Sequence, residues 1–134
     1  MRWIVIMAGG SGERFWPASR IKRPKQMMRI AGNGSLLRQA YRRARLLCPP
    51  ERILVVTGKS LARSVAAELK GLPRRNVIGE PMIRDTAACI GLAAVLILYR
   101  DPEASMAVLP ADHLIADPRG FRRALAASFE AARK

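Results

Sequence analysis

Short apolar runs alternate with amphipathic stretches along this chain, and glycine or proline marks most of the changes. Arg2 to Met7 holds Trp3, Ile4, Val5 and Ile6 in sequence and reads as a buried strand. An irregular segment follows over about 8–33, in which Pro17 and Pro24 interrupt regular structure. Ser35 is placed to cap a helix over about 36–47, which Pro49-Pro50 ends. Arg52 to Thr57 predicts a second strand, and a helix over about 60–70 stops at Gly71. A short strand lies near Asn76 to Ile78, and a loop carries Glu80-Pro81. Thr86 opens an apolar helix that runs to about Tyr99 and is broken at Asp101-Pro102. Ser105 to Leu109 reads as the next strand, and a last helix starts near Pro118-Arg119 and continues to the C-terminus.

This alternation predicts an α/β protein with a Rossmann-like, mostly parallel sheet, helices on both faces and the first strand central. Ligands of such sheets bind outside the carboxyl ends of the strands. The run from Ala87 to Tyr99 is shorter than the roughly 20 residues needed to span a bilayer, so it is read as a core helix. The length of 134 residues suits one domain or part of one.

Half of the residues are apolar but only 5% are aromatic, so aliphatic side chains are expected to build the core. Cys48 and Cys89 form neither a metal-ligand spacing nor a disulfide framework, and Cys89 reads as a small buried hydrophobe. Residues 1–7 are too few for a secretory signal and run into polar, glycine-rich sequence. The expectation is a soluble cytoplasmic protein that makes no membrane contact.

Charge changes the picture more. The net charge is +14, and between Arg14 and Arg45 there are ten Lys or Arg and no Asp or Glu. Such a field attracts nucleotides, pyrophosphate, nucleic acid or anionic lipid. Arg38, Arg42, Arg43 and Arg45 are read as solvated charges on the outer face of a helix. A nucleic-acid binder ranks low, because no helix-turn-helix, zinc or RNP signature accompanies the charge.

The first strand runs directly into Ala8-Gly9-Gly10-Ser11-Gly12-Glu13-Arg14, then Phe15-Trp16-Pro17 and, further on, Arg23-Pro24-Lys25-Gln26. A strand that enters a glycine-rich loop brings backbone N–H groups up to phosphates. The spacing is not that of a P-loop, and Phe15 stands where a G-x-G-x-x-G motif needs its third glycine. Two later segments join this loop. They are Gly79-Glu80-Pro81-Met82-Ile83-Arg84-Asp85-Thr86-Ala87-Ala88-Cys89-Ile90 and Val108-Leu109-Pro110-Ala111-Asp112-His113-Leu114-Ile115. All three follow predicted strands.

In these three ordered segments the chain resembles the sugar-1-phosphate nucleotidylyltransferases, and among them the mannose-1-phosphate guanylyltransferases. The resemblance implies a reaction that makes GDP-mannose and pyrophosphate from GTP and mannose 1-phosphate with Mg²⁺. It implies a nucleotide site of Ala8, Gly9, Gly10, Ser11, Gly12, Glu13, Arg14, Lys25, Glu80, Thr86 and Asp112. Within it, Arg14 and Lys25 carry the catalytic charge and Asp112 is the metal ligand. The residue types suit these roles. Arg14 offers a planar fork to the departing pyrophosphate, and Lys25 a point charge to the α-phosphate or the incoming sugar phosphate. The two oxygens of Glu80 are acceptors that match the adjacent N1–H and N2–H donors of guanine. Each residue also has a plainer reading: Asp112 as a turn or cap aspartate, Glu80 as a solvated loop glutamate, and Thr86 as a helix cap. His113, the single histidine, is given no role.

The sequence departs from the family pattern Glu-Pro-x-Gly-Arg-Asn-Thr-Ala-Pro, with Ile83, Asp85 and Ala88 in place of glycine, asparagine and proline. Residues 1–134 read as the N-terminal, nucleotide-binding part of such a catalytic domain, with the acceptor-sugar part absent. Little or no transfer by the chain alone is therefore expected. An open sheet edge, self-association or complementation by a C-terminal part is expected too. A non-catalytic nucleotide-binding module is the alternative.

Overall fold

A computed structural model describes residues 1–9, 25–29, 32–82 and 85–133. Strands β1 (Arg2–Met7), β2 (Ile53–Gly58), β3 (Val77–Glu80) and β4 (Ser105–Pro110) form one sheet in the order β3-β2-β1-β4. All three pairings are parallel, with Ile4 beside Ile53 and Ala107, and Val55 beside Val77. The expected α/β architecture and the interior place of β1 are both observed.

The helices are α1 (Leu36–Arg45), α2 (Ala62–Glu68), α3 (Thr86–Arg100) and α4 (Pro118–Ala131). Alternate residues of each strand point to opposite faces, and the core divides accordingly. Ile4 and Ile6 of β1, with Ile53 and Val55 of β2, pack against Leu37, Ala40 and Tyr41 of α1, Val65 of α2 and Phe129 of α4. Trp3, Val5, Leu54 and Val56 pack on the other face against Cys89, Ala93 and Ile97 of α3. Among the described residues, one face thus carries three helices and the other carries one.

Local signals account for several boundaries. Ser35 caps α1, its Oγ accepting from the Arg38 N–H at 3.1 Å. Gly71 takes φ +88 just beyond α2, a conformation that a Cβ would strain. Asp117 caps α4, and Pro118 fills its first position, where no N–H is needed. Differences from the sequence reading are small but informative. Helix α2 covers only Ala62–Glu68, after a 3-10 turn Lys59–Leu61. Strand β3 extends to Glu80, so Glu80 ends a strand and does not sit in a loop.

The larger correction concerns α3. The sequence predicts a buried core helix, yet Val95, Leu98 and Tyr99 are exposed, Tyr99 at 91%. The helix is apolar on every side, but the sheet covers only the stripe through Cys89, Ala93 and Ile97.

Candidate functional site

The order β3-β2-β1-β4 reverses direction beside β1. The chain moves outward from β1 through β2 and β3, then returns to add β4 on the other side. The carboxyl ends of β1 and β4 therefore flank the switch point at which open α/β sheets bind ligands. Met7 is level with Pro110, and the Ala111 N–H donates to the Met7 carbonyl at 3.0 Å. Asp112 follows the buried, anchored Ala111 and so emerges beside the end of β1.

Lys25 reaches the same place from the other side of the glycine loop. Its Nζ lies 2.8 Å from Asp112 Oδ2, across 87 positions of sequence. The 3-10 turn Lys25–Met27 is held by its middle residue: the buried Gln26 donates from Nε2 to the Ala8 carbonyl at 2.7 Å. Thr57 Oγ1 donates to the same oxygen at 2.9 Å. These two bonds fix the Ala8 peptide, from which Gly9 leaves the sheet. The sequence reading assigns no role to Gln26 or Thr57. A buried amide next to a motif lysine is the available signal for Gln26, whereas Thr57 looks like any strand residue. The hydrogen bond and charge of Lys25 hold the Asp112 carboxyl below the usual carboxylate range, against an opposing effect of burial.

Glu80 forms a second centre close by. It is only 6% exposed, which overturns the plain reading of a solvated loop glutamate. Its carboxylate makes no hydrogen bond or ion pair with the described residues. A Cβ added at Gly9 would lie 4.0 Å from Glu80 Oε2, so the start of the glycine loop passes beside the carboxylate. With Gly58, Lys59, Ser60 and Pro81, Glu80 lines a cavity of about 470 Å³. Burial, helped by the charge of Glu80, pushes the Cys89 thiol up to about 11, in keeping with its expected role as a buried hydrophobe. Gly79 permits the close approach of β3 to the turn after β2, because a Cβ there would stand 3.1 Å from Lys59 Cα.

The remaining expected residues are distributed as follows. Ala8 is buried and Gly9 exposed at the end of β1. Gly10, Ser11, Gly12, Glu13 and Arg14 lie outside the described residues, as do Ile83 and Arg84. Thr86 is the first residue of α3 and is exposed, while Asp85 takes the cap position without a side-chain cap bond. Thr86 therefore does not cap the helix.

The α1 arginines are not simply solvated. Arg38 bonds the Glu68 carbonyl at 3.3 Å and pairs with the Glu68 carboxylate at 3.4 Å. Arg42 donates to the Asn33 carbonyl at 2.8 Å. Arg43 donates to the His113 carbonyl at 3.0 Å, and burial lowers its pKa. Arg43 thereby steadies the loop that carries Asp112, a contact between distant segments that charge patterning does not indicate. Arg45 is exposed, as expected.

Among the described residues no group of three or more His, Cys, Asp or Glu is placed to hold a metal. The donor set at the switch point is one half-exposed carboxylate, already hydrogen-bonded to a cation. That set fits a hard divalent ion that takes most of its oxygens from water and substrate phosphates, and does not fit a preformed protein cage. Among the described residues no helix is long and apolar enough to cross a membrane.

The chain is similar to known proteins over nearly its whole length. Mannose-1-phosphate guanylyltransferase of Escherichia coli (strain K12) is 40% identical over 126 residues, which cover 90% of this chain and 26% of that protein. The alginate biosynthesis protein AlgA of Pseudomonas aeruginosa is 33% identical over 138 residues, covering 97% of this chain and 27% of that one. The chain thus spans about a quarter of the length of these relatives. A crystal structure from Thermus thermophilus, described as a mannose-1-phosphate geranyltransferase, superposes with a TM-score of 0.86 at 36% identity, over 99% of this chain and 38% of that one. With residues 4–134 matching the family described as Nucleotidyl transferase, the chain belongs to the nucleotidyl transferase family.

Proposed function

We propose that residues 1–134 are the nucleotide-binding part of an enzyme that joins GTP to mannose 1-phosphate, forming GDP-mannose and releasing pyrophosphate. The observation that carries this reading is the meeting of Lys25 and Asp112 at the switch point, 2.8 Å apart and beside the exit of the glycine loop. The names and similarity of the guanylyltransferase relatives support the choice of substrates.

In the transfer, an oxygen of the sugar phosphate attacks the α-phosphorus of GTP. The bond to the bridging oxygen breaks, and pyrophosphate leaves in line. Positioning and charge stabilisation dominate such reactions. Lys25 places its ammonium against the phosphates as charge shifts to the leaving group, and Arg14 adds its guanidinium to the pyrophosphate. Gly9, Gly10, Ser11, Gly12 and Glu13 present backbone N–H groups, while the buried Ala8, whose own N–H is bonded to the Val56 carbonyl, anchors the start of the loop. Glu80 accepts from N1–H and N2–H of guanine inside its cavity, and Thr86 contacts the ribose or base at the entrance of α3. Asp112 would hold Mg²⁺ through its carboxylate, and the ion would supply positive charge against the phosphates. Lys25 donates to one Asp112 oxygen, and nucleotide phosphates would compete for the same ammonium.

The same incompleteness extends to partners. The exposed apolar side of α3 and the half-buried edge strand β4 favour self-association or cover by a complementing C-terminal part.

Calorimetry with Mg²⁺ tests the reading. GTP is expected to bind more tightly than ATP, and Glu80→Gln to reduce the preference by about 1–3 kcal/mol, the range for a charged hydrogen bond. Equal affinity for the two nucleotides in the unaltered chain refutes the assignment of Glu80.

A further inference from the structure

Guanine carries three groups along its Watson–Crick edge: the N2 and N1–H donors, and beside them the O6 acceptor. A carboxylate satisfies the first two and can only repel the third. Among the described residues, the Glu80 cavity has one cation on its wall, Lys59. We infer that Lys59 donates to guanine O6 and is a specificity-determining residue of this site. The inference rests on the guanine reading of Glu80 given above.

Three observations carry it. Gly58 is the register partner of Glu80, so Lys59 leaves the sheet one residue past the level of the carboxylate, on the adjacent strand. Neighbouring strands lie about 4.8 Å apart, a spacing within the reach of a single ring edge and a flexible side chain. The turn is also fixed in place, because the missing Cβ of Gly79 lets Lys59 Cα pack directly on β3. Finally, Lys59 and Glu80 carry opposite charges and line one cavity, yet they form no ion pair with each other. Neither makes a hydrogen bond or ion pair with any other described residue. A cation and a carboxylate that line one cavity without pairing can present a donor next to two acceptors, the complement of the guanine edge. Adenine puts its N6 donor where guanine has O6, so the Lys59 ammonium would face another donor and Glu80 would face the bare N1 lone pair. Both contacts then turn unfavourable, and the two residues discriminate as a unit.

The test measures binding to the full chain with Mg²⁺, using GTP, ATP and 6-thioguanosine triphosphate. In the last, sulfur replaces O6 while N1–H and the N2 amino group remain. The unaltered chain is expected to bind GTP about tenfold more tightly than the thio analogue. Lys59→Met is expected to lose about tenfold for GTP and to bind the two ligands equally, while Lys59→Arg keeps most of the difference. The larger sulfur affects both proteins alike, so the ratio of ratios isolates the contact between Lys59 and O6. Lys59 is exposed, and unchanged thermal melting checks that each variant is folded. A Lys59→Met protein that keeps the GTP-to-thio ratio overturns the inference, and so does a Ser60→Ala protein that abolishes the ratio by itself. If either occurs while GTP still outbinds ATP, the guanine reading of Glu80 survives. Equal binding of GTP and ATP by the unaltered chain overturns both.

Discussion

The Lys25–Asp112 pair sets a pH window that can be worked out by sign. The folded chain holds the Asp112 carboxyl below its ordinary value of 3.8, mainly through the hydrogen bond from Lys25. A depressed carboxylate pKa favours the folded state fully above the unfolded value, and that contribution is lost as pH falls through the lower folded value. Asp112 is about a third exposed, so solvent screens the effect. Lys25→Met is therefore expected to raise the Asp112 titration midpoint toward 3.8, as followed by carboxyl NMR. Identical titration with and without Lys25 would show that the pair does not persist in solution. Residues 25 and 112 are each legible in the sequence, because both lie in motifs that follow strands. Their contact is not, since no local pattern connects positions on separate strand exits. Gln26, Thr57 and Arg43 show the same limit: each acts through a backbone carbonyl of a remote segment, and every residue type offers the same carbonyl.

At the scale of elements, glycine, proline and capping residues mark the boundaries well. Ser35 and Pro118 act at the positions where the sequence placed them, and Gly71 takes its positive φ a few residues beyond the end of α2, which stops at Glu68. Ser35 does more than cap. Its Oγ accepts from Arg38 N–H and also donates to Glu68 Oε1 at 2.7 Å, joining the start of α1 to the end of α2. Ser35→Ala is expected to destabilise the chain by about 1–2 kcal/mol, because a buried cap and a link to a carboxylate are lost together. Urea unfolding reads this as a lower midpoint with unchanged slope. A loss below about 0.3 kcal/mol, within the range typical of surface substitutions, would show that the cap is replaced by water. Strand β3 is the least legible element. Gly79 and Glu80 have low strand propensity, and they extend β3 because Thr57 and Gly58 of the fully paired β2 offer register partners.

For the molecule as a whole, the two faces of the sheet are unequally covered. Among the described residues, helix α3 is the one helix on its side, with Val95 at 65% and Leu98 at 60% exposure. Gly91 lies on the same open side, with nothing within 4 Å of an added Cβ. Strand β4 is half-buried throughout and pairs only with β1. A second copy can cover such a surface in the absence of another polypeptide. Sedimentation is expected to show concentration-dependent association that Leu98→Lys weakens; monomeric behaviour at all concentrations would exclude it. The share of its relatives that the chain spans bears on turnover. Orientation of two substrates supplies roughly 7–11 kcal/mol of such barriers, and this chain spans about a quarter of its guanylyltransferase relatives. Pyrophosphate release from GTP and mannose 1-phosphate by the 134-residue chain is expected to fall far below the typical enzyme median of about 10 s⁻¹.

Sequence alone determined the class of the fold, the parallel sense of its sheet and the three strand exits that hold the candidate site residues. These follow from periodicity, turn chemistry and the alternation of strands with helices, which local sequence patterns reveal. Tertiary structure decided which exits meet. The return of the chain to place β4 against β1 brings Asp112 to Lys25, and the pairing of β2 with β3 sets Lys59 beside Glu80. It also decided that Glu80 is buried and that much of α3 is not. Burial depends on what packs against an element, and the apolar pattern of α3 is the same on its covered and its open side.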